Sequence, residues 1–364
     1  MTDPALYPSP LNPEPANRNS VPDREAAPRR QIAIWLFACC ALVFAMVVVG
    51  GVTRLTHSGL SIVEWQPLVG TLPPLNEAQW LDVFDKYKLT PEYLKVNQGM
   101  SLSDFKDIFW WEYFHRLLGR LIGLAYFLPF AWFALRRHIP EGWTGKLLGI
   151  FLLGGLQGAL GWYMVKSGLV DEPRVSQYRL TAHLGLAVLI YAAMFWVALG
   201  LLYPRPALQH AAPEIVRARR QATGLSALIF VMILTGGLVA GIRAGFAYNT
   251  FPTMNGHWIP PEIFMLDPWY LNFFNNMATV QFDHRLLAWA LAFLVPWFWW
   301  RCRGLSLTPR AHTATHLFLA ALVLQIGLGL VTLLLVVPIP LAAAHQAGAI
   351  LLLSAAMWCA HALR

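Results

Sequence analysis

Apolar residues in this chain gather into long runs separated by shorter polar stretches. Eight such runs fall near residues 31–53, 117–135, 147–165, 181–203, 223–242, 285–300, 313–337 and 343–362. A helix needs roughly 20 apolar residues to cross about 30 Å of hydrocarbon, and the runs are close to that length, with 285–300 the shortest. The pattern predicts an all-α integral membrane protein with eight transmembrane helices.

Composition agrees with this. Over 364 residues the chain is 57% hydrophobic and only 13% charged, too apolar for an ordinary soluble domain. The basic residues fix an orientation. With the N-terminus inside, the cytoplasmic segments carry Arg18, Arg24, Arg29 and Arg30, then Arg136, Arg137 and Lys146, then Arg205, Arg217, Arg219 and Arg220, then Arg301, Arg303 and Arg310. The outer connections are then 54–111, 166–180, 243–283 and a very short one around Pro338 and Pro340. The net charge of +8 therefore reports topology and contact with anionic lipid, not a nucleic-acid partner.

Residues 1–30 are rich in Pro, Asn and Ala and include Asp3, Glu14, Asp23 and Glu25. They read as a disordered cytoplasmic tail, whose acids argue against a mitochondrial transit peptide. The first apolar run lacks a small-residue cleavage site and reads as a retained helix, with a bacterial plasma membrane the simplest location and both termini cytoplasmic. Cys39 and Cys40 fall in the first helix, Cys302 in a cytoplasmic loop and Cys359 in the last helix. None lies in an outer loop, so the oxidising side offers no thiol chemistry.

The chain is internally duplicated. "VGGVTRL" from Val49 returns as "TGGLVAG" from Thr235, "FHRLLGR" from Phe114 as "DHRLLAW" from Asp283, "LQGALG" from Leu156 as "LQIGLG" from Leu324, and "TAHLGLA" from Thr181 as "AAHQAGA" from Ala343. Four landmarks in one order predict two related four-helix bundles of parallel topology, 31–203 and 223–364, after the 1–30 tail and joined by a cytoplasmic linker at 204–222.

Eleven histidines are present, and four of them, His115, His183, His284 and His345, occupy matched places at the outer mouths of helices two, four, six and eight. Ionisable side chains at membrane depth are costly unless partnered or functional. Zinc would want a third or fourth ligand, and apart from Asp283 beside His284 none follows at helical spacing. Haem iron wants two axial imidazoles across a flat macrocycle, and bundle cores house it. A small residue follows each histidine by one turn, at Gly119, Ala187, Ala288 and Ala349, leaving room for a porphyrin edge. Arg116, Arg120 and Arg285 suit either haem propionates or the interface.

The combination of "EYFHR", the second "HR" motif, the two later histidines and the duplicated layout resembles the haem A synthase family over nearly all of the chain after the tail. That resemblance implies a membrane oxidoreductase that oxidises the C8 methyl of haem O to the formyl of haem A for terminal oxidases. It further implies that His115 and His183 flank the substrate haem O, while His284 and His345 ligate a resident haem b. Haem O synthase and cytochrome oxidase assembly factors are the partners it suggests, with a homo-oligomer possible. Some members carry an outer-loop cysteine pair; this chain does not, which removes any thiol-based step here.

Glu112 stands three residues before His115, on one helical face with it, and Gln281 takes its place before His284. A carboxylate at the edge of a low-dielectric haem pocket can move protons or position a reacting oxygen species, and a carboxamide cannot. The simpler reading is an ion pair with Arg116 at i+4. Another function class also fits two bis-histidine sites: a b-type electron-transfer cytochrome without chemistry on its haem. The Glu/Gln difference and the long outer loops favour the enzyme. A carrier is disfavoured because no helix is broken at mid-membrane by paired Gly and Pro.

Overall fold

The computed structural model describes residues 26–64, 69–168, 173, 175–204 and 212–364. Eleven α-helices lie among them: α1 (Ala26–Leu55), α2 (Glu77–Lys88), α3 (Pro91–Lys95), α4 (Leu102–Leu135), α5 (Thr144–Gly168), α6 (Gln177–Leu202), α7 (Pro213–Gly241), α8 (Asn272–Asn275), α9 (Met277–Cys302), α10 (Pro309–Leu334) and α11 (Ile339–Ala362). The only β pairing among the described residues is an isolated bridge between Met254 and His257. Seven of the helices, α1, α4, α5, α6, α7, α10 and α11, are long and apolar enough to cross a membrane. α9 matches α10 in length, at 26 residues, but carries Asp283, His284, Arg285 and Arg301.

In the first half of the chain α1 packs on α4 and α6, and α5 on α6; in the second, α7 packs on α9 and α11, and α10 on both of those. The halves meet through α6 with α7, α1 with α11, and α6 with α11. One apolar core runs through these central helices, taking in Ile32, Leu36 and Val43 of α1, Val188 and Met194 of α6, Ile229 of α7, and Leu353 and Ala356 of α11. Glycines set the closeness of the crossing. A Cβ on Gly51 would overlap the Gln346 side chain of α11, and one on Gly237 would stand 3.0 Å from Thr181 Oγ1 of α6. The peripheral helices turn large apolar side chains outward, among them Leu124 and Leu128 of α4 and Phe293 and Trp300 of α9.

Three predicted boundaries shift. α4 begins at Leu102, well before the run near 117, because Ser101 and Asp104 form a reciprocal capping box that satisfies the free amides of its first turn. The linker expected over 204–222 gives way to helix from Pro213, with proline in the first turn and Glu214 at the positive end of the helix dipole. Residues 205–211 of that linker and residues 1–25 of the tail lie outside the described residues. Cys302, expected in a loop, is the last residue of α9 and is buried.

The segment at 54–111, expected on the outer side, contains α2 and α3, which the apolar runs do not announce. Trp80, Phe84 and Tyr87 pack with Phe105, Phe109 and Tyr113 of the α4 extension into a second, separate aromatic core. Glu92 of α3 is buried within it, accepting from Tyr87 Oη at 3.4 Å, and Asn97 Nδ2 donates to the same phenol at 2.8 Å. Burial, followed by the charge of Glu112, pushes the Glu92 carboxyl up to about 7. A carboxyl whose pKa rises on folding binds its proton more tightly in the native state. Its contribution is therefore full below the unfolded value of 4.5 and is lost as pH climbs to about 7. The loss is at most about 3 kcal/mol. Amide protection factors across 77–101 are expected to fall between pH 5 and pH 8, and Glu92→Gln to abolish that fall. Equal protection at both pH values in the parent refutes the assignment.

Candidate functional site

The four matched histidines sit on α4, α6, α9 and α11, and each faces a glycine of a neighbouring helix. A Cβ on Gly50 of α1 would lie 3.2 Å from His115 Nε2, and one on Gly236 of α7 3.3 Å from His284 Cε1. Likewise a Cβ on Gly161 of α5 would approach His183 Cε1 to 2.9 Å, and one on Gly329 of α10 would approach His345 Cε1 to 2.9 Å. The four glycines are themselves repeat partners, so both halves make the same imidazole cradle. His115 lies within electrostatic reach of His183, and His345 within reach of His284. No group of three or more His, Cys, Asp or Glu side chains gathers among the described residues. Pairs of imidazoles set against glycine fit the two axial bonds of a haem iron, and do not fit zinc.

Polar side chains missed in the sequence hold these rings. Gln157 Nε2 donates to the carbonyl of His183 at 3.0 Å and stands 3.1 Å from its Nδ1. Gln325 repeats both contacts with His345, at 2.9 and 3.1 Å. Two glutamines at one repeat position in otherwise apolar helices were the available signal, since a polar group at membrane depth asks for a partner. Thr235 adds a contact with one ring only, 2.8 Å from His284 Nδ1.

Beside the first histidine of each half is a clamp that fastens the loop preceding its helix. Glu112 is buried. Its Oε2 accepts from Ser61 Oγ and from the Ile62 amide, both at 2.8 Å. Its Oε1 accepts from Arg116 Nε at 2.9 Å and Nη2 at 2.5 Å. Arg116 also donates to the Ile62 carbonyl at 2.8 Å. Gln281 is equally buried, but its Nε2 donates to the carbonyls of Ala244 and Ala247 at 2.7 and 2.6 Å. Its Oε1 accepts from Arg285 Nη2 at 2.9 Å, and Arg285 reaches on to the carbonyls of Tyr248 and Thr250 at 2.5 and 2.9 Å. The first loop thus presents donors to a carboxylate, and the second presents acceptors to an amide. This complementarity accounts for Glu in one half and Gln in the other, and the i+4 ion pair foreseen for Glu112 is present.

Arg116 and Arg285 donate to loop carbonyls and to the clamp residue. Arg116 and Arg120, with Tyr113 and Phe109, line a cavity of about 350 Å³.

Comparison with known proteins bears on the same features. A family model described as "Cytochrome oxidase assembly protein" matches residues 33–357. The chain is 66% identical over 342 residues to a protein of Nitrosospira multiformis named "Heme A synthase", covering 94% of this chain and 96% of that one. It is 60% identical over 344 residues to one of Nitrosomonas eutropha with the same name, covering 93% and 97%. A third of that name, from Parvibaculum lavamentivorans, is 48% identical over 341 residues, covering 94% and 96%.

Proposed function

The chain belongs to the cytochrome oxidase assembly protein family that contains these haem A synthases, and from that premise we propose how its two halves divide the work. It is a membrane oxidoreductase of haem A formation. In our reading haem O is the substrate and its C8 methyl becomes the formyl group of haem A. His115 and His183 flank the substrate in the first half. His284 and His345 would hold a haem b in the second. The observation that carries this reading is the repeated cradle, an imidazole pair against two glycines in each half.

When bound, the haems supply the redox chemistry. The chain's own residues do the rest. The glycines let the imidazoles stand between helices, Gln157 and Gln325 hold the second ring of each pair, and the Glu112–Arg116 and Gln281–Arg285 clamps press the outer loops over the two sites. Glu112 is the carboxylate nearest the first histidine along α4, and a proton-transfer role for it is compatible with its place beside His115. Arg120 stands on the wall of the cavity, and contact with a propionate is the role we propose for it.

We read α9 as the eighth span, so that the halves are two four-helix bundles in a bacterial plasma membrane with both termini cytoplasmic. The basic residues of the inner segments support this, and a reporter fused after Arg303 is expected to read as inside. Haem O synthase and oxidase assembly factors are the proposed neighbours in the pathway.

Pigment extracted from the purified full-length protein tests the function. Haem O or haem A is expected beside haem b. Haem b alone identifies an electron-transfer cytochrome, and no haem at all refutes both readings.

A further inference from the structure

The two halves differ at the contact made to the first histidine ring of each. The Thr235 hydroxyl donates to the carbonyl of Met232 at 2.8 Å. Having given away its single proton, it accepts at the His284 contact of 2.8 Å, which puts the imidazole proton on Nδ1 and leaves the Nε2 lone pair for a metal. The repeat places Val49 where Thr235 stands, immediately before the Gly-Gly pair. Valine offers no hydrogen bond, and the His115 ring makes none with the described residues; its neighbour is the bare face of Gly50. Of the four rings, His284 alone meets an oxygen acceptor at Nδ1; Nδ1 of His183 and of His345 faces a glutamine amide nitrogen, and His115 has no hydrogen-bond partner among the described residues.

We propose that Thr235 is a positioning residue that fixes His284 as a permanent axial ligand, and that Val49 leaves His115 free to turn so that the first half can exchange its haem. This rests on the reading that each half binds a haem through its histidine pair. The chemistry demands such a difference, because a substrate must enter and its product leave while a resident cofactor must stay. An outer hydrogen bond to a ligating histidine orients the ring, raises its basicity and contributes 10- to 100-fold in affinity.

Thr235→Val, Thr235→Ser and Val49→Thr in the full-length protein test it, with apomyoglobin as haem scavenger and potentiometric titration of the low-spin haem b band. Thr235→Val is expected to lose haem b about 10-fold faster and to raise its midpoint potential, because a less basic ligand stabilises the oxidised iron less. Thr235→Ser is expected to restore both. Val49→Thr is expected to slow the transfer of haem O or haem A out of the first half by about 10-fold while leaving haem b unchanged. Parental loss rates and potential in Thr235→Val overturn the proposal, provided His284→Ala has lost the band. Retention of the band in His284→Ala overturns the ligand assignment underneath it.

Discussion

Glu112→Gln is expected to lower haem A formation by 10²-fold or more and to undock the loop at Ser61–Glu64, although it copies the residue that the other half uses at the same place. The carboxylate has acceptors at both ends, one for Ser61 and Ile62 and one for Arg116. A carboxamide has an acceptor at one end and two donors at the other. Whichever way it lies, its NH2 faces either the Ser61 hydroxyl and Ile62 amide or the Arg116 guanidinium. The partly buried Arg116 also loses its counter-charge, which adds to the cost, up to the roughly 3–5 kcal/mol typical of breaking a fully buried pair. The reverse change, Gln281→Glu, is expected to be as damaging to the second half, since it turns a carboxylate toward the carbonyls of Ala244 and Ala247.

Amide exchange at Ile62, measured beside haem A yield, separates the two roles of Glu112. A clamp loses both protection and yield in Glu112→Gln. Protection retained with yield lost leaves proton transfer as its only function, and parental yield removes both.

Long apolar runs announced seven of the long helices and the one that is less apolar, because a lipid-facing helix must be greasy over its whole length. They could not announce α2 and α3. Those helices bury only a stripe, Trp80, Phe84 and Tyr87, whose partners Phe105, Phe109 and Tyr113 arrive 25 or so residues later on the extension of α4. The spacing of i, i+4 and i+7 was there to be seen, but its meaning depends on the tertiary partner. The four histidines could be picked out as candidates because they recur at matched places in the repeat. Thr235 could not, since a threonine in a membrane helix commonly satisfies itself on the preceding turn, as this one does with Met232. Only the structure shows the second contact. The Glu/Gln difference was visible as a difference, while its cause lies in which backbone groups the loops turn inward, something no residue name records.

The separation of the two sites gives the other large effect. His284→Ala and His345→Ala are each expected to remove the low-spin haem b spectrum, whereas His115→Ala and His183→Ala are expected to keep that spectrum and reduce haem A formation to background. The argument is one of pairing. Gly50 and Gly161, which cradle His115 and His183, belong to α1 and α5, while Gly236 and Gly329, which cradle His284 and His345, belong to α7 and α10. An iron held by His284 has its second imidazole at hand in His345, so losing either leaves a single axial bond and ends the low-spin state. Alanine also leaves a hole beside a glycine, which invites water or a free imidazole in place of the ring. Added imidazole is therefore expected to restore part of the haem b band in His284→Ala. Loss of that band in His115→Ala, with the protein still folded, would show that the ligands pair across the halves and that the duplication does not delimit the sites.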